Sequence, residues 1–142
     1  MNEVYKVCRI DDGVFRSAYA DTDKCRRLGL DLEYQPGVET RAPEGTVGIF
    51  CYDELAQAQT FADCSVSAYR TVIMGSCNVA ILRCLTPHTP KPIESMLDFG
   101  TEDLWLKGKQ LLQEPHDPHY AEVFAVPFAR VVSSLTPIEV VP

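Results

Sequence analysis

Short β-type apolar runs that end at strong turn signals are the feature that most limits how this chain can fold. Residues Val4–Ile10 form one such run, Asp11-Asp12-Gly13 follows as a turn, and Val14–Ala20 continues with aromatic and small residues. This pattern predicts a β-hairpin at the start of the domain. A second hairpin is predicted where Tyr69–Met74 and Val79–Leu85 flank a longer turn.

Three segments have helical character. Asp53 is placed to cap a helix over Glu54–Ala62, because its carboxylate can accept an orphan backbone N–H. Further helices are predicted from near Pro92 and over Thr101–Gln113. Together with the hairpins, these segments predict a single α+β domain over residues 1–142. We expect a mostly antiparallel, curved sheet with two or three helices.

Composition narrows the class of protein. Apolar residues make up 46% of the 142 and charged residues 23%, which is typical of a domain with a packed core. The net charge of -7 disfavours binding to phosphate backbones, so nucleic-acid binding is not expected. No apolar run approaches the roughly 20 residues of a membrane span. The six cysteines, without a recognisable secretory signal, predict free thiols in the cytoplasm.

Two constellations are candidates for metal or thiol chemistry. The loop His116-Asp117-Pro118-His119, with His88 as a distant third histidine, offers nitrogen and oxygen ligands. The alternative is an ordinary solvated loop, and we predict no metal site. A cysteine nucleophile would need a nearby base, but Cys8, Cys51 and Cys84 lie in apolar strand runs, where buried structural thiols are the rule.

A pair of arginines marks the first predicted hairpin. Arg9 and Arg16 fall on its two strands, one on each side of the turn. Arginines on strands usually lie on the solvent face, whereas a guanidinium directed into a cleft would bind an anionic ligand. Both interpretations stay open from the residues alone.

The segment from Gly48 to Ala62 resembles part of the ADP-ribosyltransferase-like domains, where a Gly-led aromatic strand runs into a helix. Val4–Ile10 is similar to the opening strand of that family, and Glu122–Pro127 to a late strand that begins with an acidic residue. The resemblance implies a split, curved antiparallel sheet with a cleft for NAD or an ADP-ribose derivative.

The same resemblance implies roles for individual residues. Arg9 would contact a phosphate, Phe50 or Tyr52 would border the nicotinamide, and Glu122 would orient a ribose hydroxyl as the catalytic residue. The chain departs from the family where Phe50-Cys51-Tyr52 replaces a Ser-Thr-Ser element and where Tyr120 stands two residues before Glu122. Residues 32–62 are also similar to small uncharacterised bacterial and phage accessory proteins.

The favoured interpretation is an accessory binding protein without catalysis or cofactor. It would sequester a small nucleotide-like ligand, for which Arg9, Arg16, Phe50 and Tyr52 are the candidate contacts, or dock on a partner protein. The alternatives are an ADP-ribosyltransferase-like enzyme that uses NAD, and a metal-binding protein that uses His88, His116 and His119. The apolar tail Val140-Val141 also offers a strand for pairing with another copy of the chain.

Overall fold

The computed structural model describes residues 1–17, 29, 31–44, 48–63, 78–92 and 130–142 of the chain. Nine β-strands and one α-helix account for most of these residues. In chain order they are β1 (Asn2–Asp11), β2 (Val14–Ser17), β3 (Glu33–Tyr34), β4 (Thr40–Arg41), β5 (Ile49–Cys51), α1 (Leu55–Asp63), β6 (Asn78–Thr86), β7 (Lys91–Pro92), β8 (Arg130–Val132) and β9 (Ser134–Val140).

The first predicted hairpin is confirmed. Asp11 pairs with Val14, so the loop between β1 and β2 is only Asp12-Gly13. Both loop residues have positive φ angles, 53° at Asp12 and 77° at Gly13, as in the type I′ turn that suits the twist of a hairpin. This turn brings Arg9 directly opposite Arg16 in the register of the two strands.

The main sheet has six strands in the order β3-β2-β1-β6-β9-β4, with every pairing antiparallel. Its two edge strands, β3 and β4, are neighbours in the chain. In a flat sheet of this size they would lie roughly 24 Å apart, because neighbouring strands are about 4.8 Å apart. Instead, the Thr40 hydroxyl donates a hydrogen bond of 2.9 Å to the Glu33 carbonyl. The sheet therefore curls until its edges meet.

A smaller sheet in the order β5-β8-β7 adjoins the curled sheet. Tyr5 and Tyr52 exchange two backbone hydrogen bonds of 2.7 and 2.9 Å, which attach the residue after β5 to β1. Ser133 separates β8 from β9, so the chain passes there from the small sheet to the large one. Through the Tyr5–Tyr52 bridge, β1 pairs with β2 and Tyr52 on one side, and it pairs with β6 on the other.

The core lies on the concave face of the curled sheet. Alternate residues of β1 point into it, and they meet alternate residues of β6 across the ladder, with Val4 opposite Cys84. Both sheets contribute to the buried cluster, whose members are Val4, Cys8, Tyr34, Ile49, Cys51, Leu82, Cys84, Val132 and Leu135. Lys6 stands between Val4 and Cys8 on this same face.

The predicted helix over Glu54–Ala62 is confirmed as α1, Leu55–Asp63. Ala58 is fully buried, and its N–H bonds to the Glu54 carbonyl at 3.2 Å in the first turn. The helix contacts β1 and β6. Before it, Asp53 forms an ion pair of 3.4 Å with Arg130, which fixes the junction of α1 to the small sheet.

The predicted α+β class with two or three helices is wrong. The protein is mostly antiparallel β-sheet, and α1 is the one helix among the described residues. A helix was predicted from near Pro92, but Pro92 belongs to β7. The segment Thr101–Gln113 lies outside the described residues. Outside α1, the described segments gain their regular structure by pairing with one another, as β1 does with β6 and β6 with β9.

Candidate functional site

The structure brings the two predicted arginines together on the outer face of the β1–β2 hairpin. Arg9 is 1% exposed, and its Nη2 lies 3.0 Å from the carboxylate of the buried Asp31. Its Nη1 donates a hydrogen bond to the Ser17 carbonyl. Arg16 is partly exposed and lies 3.9 Å from the same carboxylate. Asp31 thus joins both strands of the hairpin.

This arrangement assigns Arg9 a structural task. Its positive charge is balanced within the protein by Asp31, and a second carboxylate, Asp11, lies 3.8 Å away. Buried ion pairs of this kind are sensitive to removal of one partner, because the other charge is then left unbalanced. The expectation that strand arginines face solvent is wrong for Arg9. Of the pair, Arg16 is the guanidinium with an exposed surface.

The two aromatic candidates lie at the join between the sheets. Phe50 is half-buried, whereas Tyr52 is buried and pairs through its backbone with Tyr5. Tyr5 precedes Arg9 by four residues on β1, which corresponds to roughly 13 Å along a strand. Arg9 and the residue that Tyr52 pairs with are therefore separated by most of the length of one strand segment, and no described contact joins Arg9 to Tyr52.

Of the remaining candidate residues, only His88 lies in the part of the chain that the structure describes. Glu122, His116 and His119 lie outside the described residues. His88 lies in the connection from β6 to β7, where its Nε2 is 3.1 Å from the hydroxyl of Ser134. In the part of the chain that the structure describes, no three His, Cys, Asp or Glu side chains are grouped as metal ligands.

Sequence reasoning missed a buried lysine. Lys6 is 6% exposed and projects into the core, where its Nζ donates a hydrogen bond of 2.8 Å to the Phe50 carbonyl. The ammonium also lies 5.5 Å from the centre of the Tyr34 ring, within range of a cation–π contact. The alternation of Val4, Lys6 and Cys8 was the available signal, since residues two apart on a strand share a face.

Burial controls the ionisation of this interior. It lowers the pKa of Lys6, because desolvation disfavours the ammonium form. It raises the pKa of Cys8, Cys51 and Cys84 to about 12, which keeps all three as neutral thiols at neutral pH. A thiol is a poor nucleophile in that form. The prediction of buried, structural cysteines is confirmed for these three, which are all free and buried.

A different kind of feature lies at the end of β9. Ile138 is 38% exposed and Val140 is 46% exposed, although both are large apolar residues. The N–H of Gly37 donates a hydrogen bond of 2.8 Å to the Pro137 carbonyl, which brings the exposed Val38 beside them. We call Val38, Ile138 and Val140 the β9 patch. Exposed apolar groups that lie together are a common mark of interaction surfaces.

Comparisons of the chain with protein-family models, curated proteins and solved structures found no match. Among the described residues, no helix is both long enough and apolar enough to cross a membrane.

Proposed function

We propose that this protein is a non-catalytic accessory binding protein that docks on a partner protein. The observation that carries this proposal is the β9 patch, where apolar side chains are exposed beside the end of a sheet strand. Its exposure contrasts with the interior, where the charged and thiol groups are buried. A binding function needs accessible surface, and the patch supplies it.

Docking on a protein accounts for the geometry better than capture of a small nucleotide-like ligand. A ligand phosphate would have to displace Asp31 from Arg9, which is 1% exposed and already holds a buried ion pair. Such a displacement would break the buried ion pair between Arg9 and Asp31, at a cost of about 3–5 kcal/mol. Arg16 alone would be a single, partly exposed phosphate contact.

The direct test compares capture of a partner by the wild-type protein and by a patch variant. The double substitution Val38→Ser and Ile138→Ser removes exposed apolar surface and should reduce recovery of an identified partner at least about tenfold. The matched control is Ala56→Ser, which changes an exposed residue of α1 outside the β9 patch. Equal recovery with the patch variant and the control would contradict the proposal.

The enzyme alternative has its own test. We expect purified protein to leave NAD unconsumed and to bind neither NAD nor ADP-ribose in a calorimetric titration. Turnover of NAD that is lost in Glu122→Gln would instead establish the ADP-ribosyltransferase-like activity. In that case the partner-docking proposal would be replaced.

A further inference from the structure

The last residues of β9 have one backbone edge occupied and one edge open. On the side of β6, the N–H of Val141 bonds to the Ile81 carbonyl at 2.8 Å, and Glu139 lies opposite Arg83. Backbone groups of alternate residues point to the same neighbouring strand in an antiparallel ladder. Glu139 and Val141 thus face β6, and the N–H and C=O of Val140 point to the other side.

On that other side, the ladder between β9 and β4 stops at Pro137. Thr40 and Arg41 pair with Leu135 and Ser134, and the Gly37 bond to Pro137 ends the series. Proline has no N–H to return. The described ranges contain no strand that pairs with β9 beyond this point. A register shift in the β6–β9 ladder next to Pro137 also bends the strand, as β-bulges do.

We propose that the open edge of Ile138–Val140 receives an extended segment of the partner protein as an added β-strand. This inference rests on the proposed function and specifies its mode. Strand addition supplies backbone hydrogen bonds for affinity, and alternate side chains then supply specificity. The added strand would bond to the N–H and C=O of Val140, which the protein's own strands leave open in the part of the chain described.

The side chains of the edge define what the partner segment carries. Ile138 and Val140 share one face of β9, so apolar residues of an added strand would pack beside them. Glu139 lies on the other face with 58% of its side chain exposed. Glu139 and Glu3 share Arg83, at 2.8 and 3.2 Å, so two carboxylates surround one guanidinium. A basic residue between two apolar ones matches this pattern.

Charge also indicates whether the strand added at the β9 edge comes from a different protein or from a second copy of this chain. Each copy of the chain carries a net charge of -7, so the net charges of two copies oppose their association. A cationic segment is attracted by the same field, which speeds encounter and disfavours wrong partners. The occupant is therefore an extended, alternating apolar and basic segment of another protein.

The test uses two capped hexapeptides, one of alternating valine and lysine and one of alternating valine and glutamate. We expect the lysine peptide to bind and to protect the Val140 amide from hydrogen exchange. The glutamate peptide should bind at least about tenfold more weakly, because like charges oppose the field of the protein. Equal binding of both peptides would overturn the assignment of a basic segment.

A backbone substitution separates strand addition from simple apolar contact. Val140→Pro removes the N–H that points to the open edge and should weaken the lysine peptide at least about tenfold. Val140→Ala keeps that N–H and should change binding only about threefold or less. Unchanged binding by Val140→Pro would overturn the proposed mode, as would a wild-type dimer that Val140→Pro converts to a monomer.

The outcomes also distinguish this inference from the function on which it rests. If neither peptide binds but an identified partner is still lost in the Val38→Ser, Ile138→Ser variant, the docking function stands and strand addition is wrong. If the patch variant also retains the partner, both are wrong. In each comparison, proton spectra of the unbound variants confirm that the fold is intact.

Discussion

β1 and β9 flank β6 in the same sheet, and they differ in how many of their backbone hydrogen-bonding groups are paired within the protein. β1 pairs with β6 on one side and with β2 and Tyr52 on the other, and its residues from Val4 to Arg9 are mostly buried on both faces. β9 is paired on both sides only as far as Pro137, after which two apolar side chains are exposed. Lys6 and Arg9 of β1 are therefore buried within the fold, whereas the proposed docking surface lies at the end of β9.

Within β1 there is a second contrast, between two buried cations on opposite faces. Arg9 has a buried carboxylate as its partner, whereas Lys6 has a carbonyl and an aromatic ring, with no ion pair among the described residues. Burial of a charge without an opposite charge shifts its pKa toward the neutral form. Burial of Arg9 is therefore offset by an opposite charge, whereas burial of Lys6 is offset only by a hydrogen bond and a ring contact.

The largest effect on stability is expected when the buried ion pair between Arg9 and Asp31 is broken. Arg9→Met leaves the Asp31 carboxylate and the Ser17 carbonyl buried without their donor, so the free energy of unfolding should fall by about 3–5 kcal/mol. Urea denaturation monitored by far-ultraviolet circular dichroism measures this loss. Arg16→Met is the matched control and should cost less than about 1 kcal/mol, because its contact is partly exposed. Similar losses for both variants would contradict the structural role of Arg9.

Alkaline pH should destabilise the fold through the interior thiols. Their pKa rises from 9.0 to about 12 on folding, so above pH 9 the unfolded chain releases protons that the folded chain retains. Each thiol then lowers the free energy of unfolding by about 1.4 kcal/mol per pH unit. Lys6 has the opposite sign, because its pKa is lowered on folding.

The thiols therefore lower the free energy of unfolding as the pH rises above 9.0, and Lys6 offsets part of this fall. Denaturant titrations at half-unit intervals between pH 8 and pH 10.5 measure it. In Cys84→Ala the slope should be smaller by about 1.4 kcal/mol per unit, whatever the stability of that variant at neutral pH. A flat profile would show that the thiols are not buried as described.

Lys6→Met should change stability much less than Arg9→Met. The substitution removes a desolvated ammonium, which favours folding, and removes the hydrogen bond from Lys6 to the Phe50 carbonyl, which disfavours folding by about 1–3 kcal/mol. We expect the two effects to cancel to within about 1 kcal/mol at pH 7. A loss as large as that of Arg9→Met would mean that the ammonium has stronger compensation than its carbonyl and ring contacts provide.

The smallest expected effect on stability is at the β9 edge. Val140→Pro should alter the free energy of unfolding by less than about 1 kcal/mol, since the N–H that it removes points away from β6. Thermal unfolding of the variant beside Val140→Ala measures the difference. A large loss would show that this N–H takes part in the fold, and the edge would then not be open.

Local signals predicted local structure well. Asp12-Gly13 and the periodicity of α1 identify their elements because a two-residue turn and an amphipathic helix depend on neighbouring residues. β4 has no strand signal in its local sequence, because its two residues are strand only through pairing with β9. Arg9 and Arg16 were placed correctly on one hairpin, but the burial of Arg9 depends on Asp31, which is distant in sequence. The burial of Lys6 was missed because lysine is rarely found in a protein core, where its ammonium group loses its hydration.

The most direct test of the contrast between β1 and β9 is amide hydrogen exchange of the protein with and without the alternating valine–lysine peptide. We predict that added protection is confined to Ile138–Val140 and the adjoining Gly37-Val38 turn, while the amides of β1 exchange at unchanged rates. Protection centred on Arg9 and Arg16 with the β9 edge unchanged would contradict the account, and would return the binding site to the first hairpin.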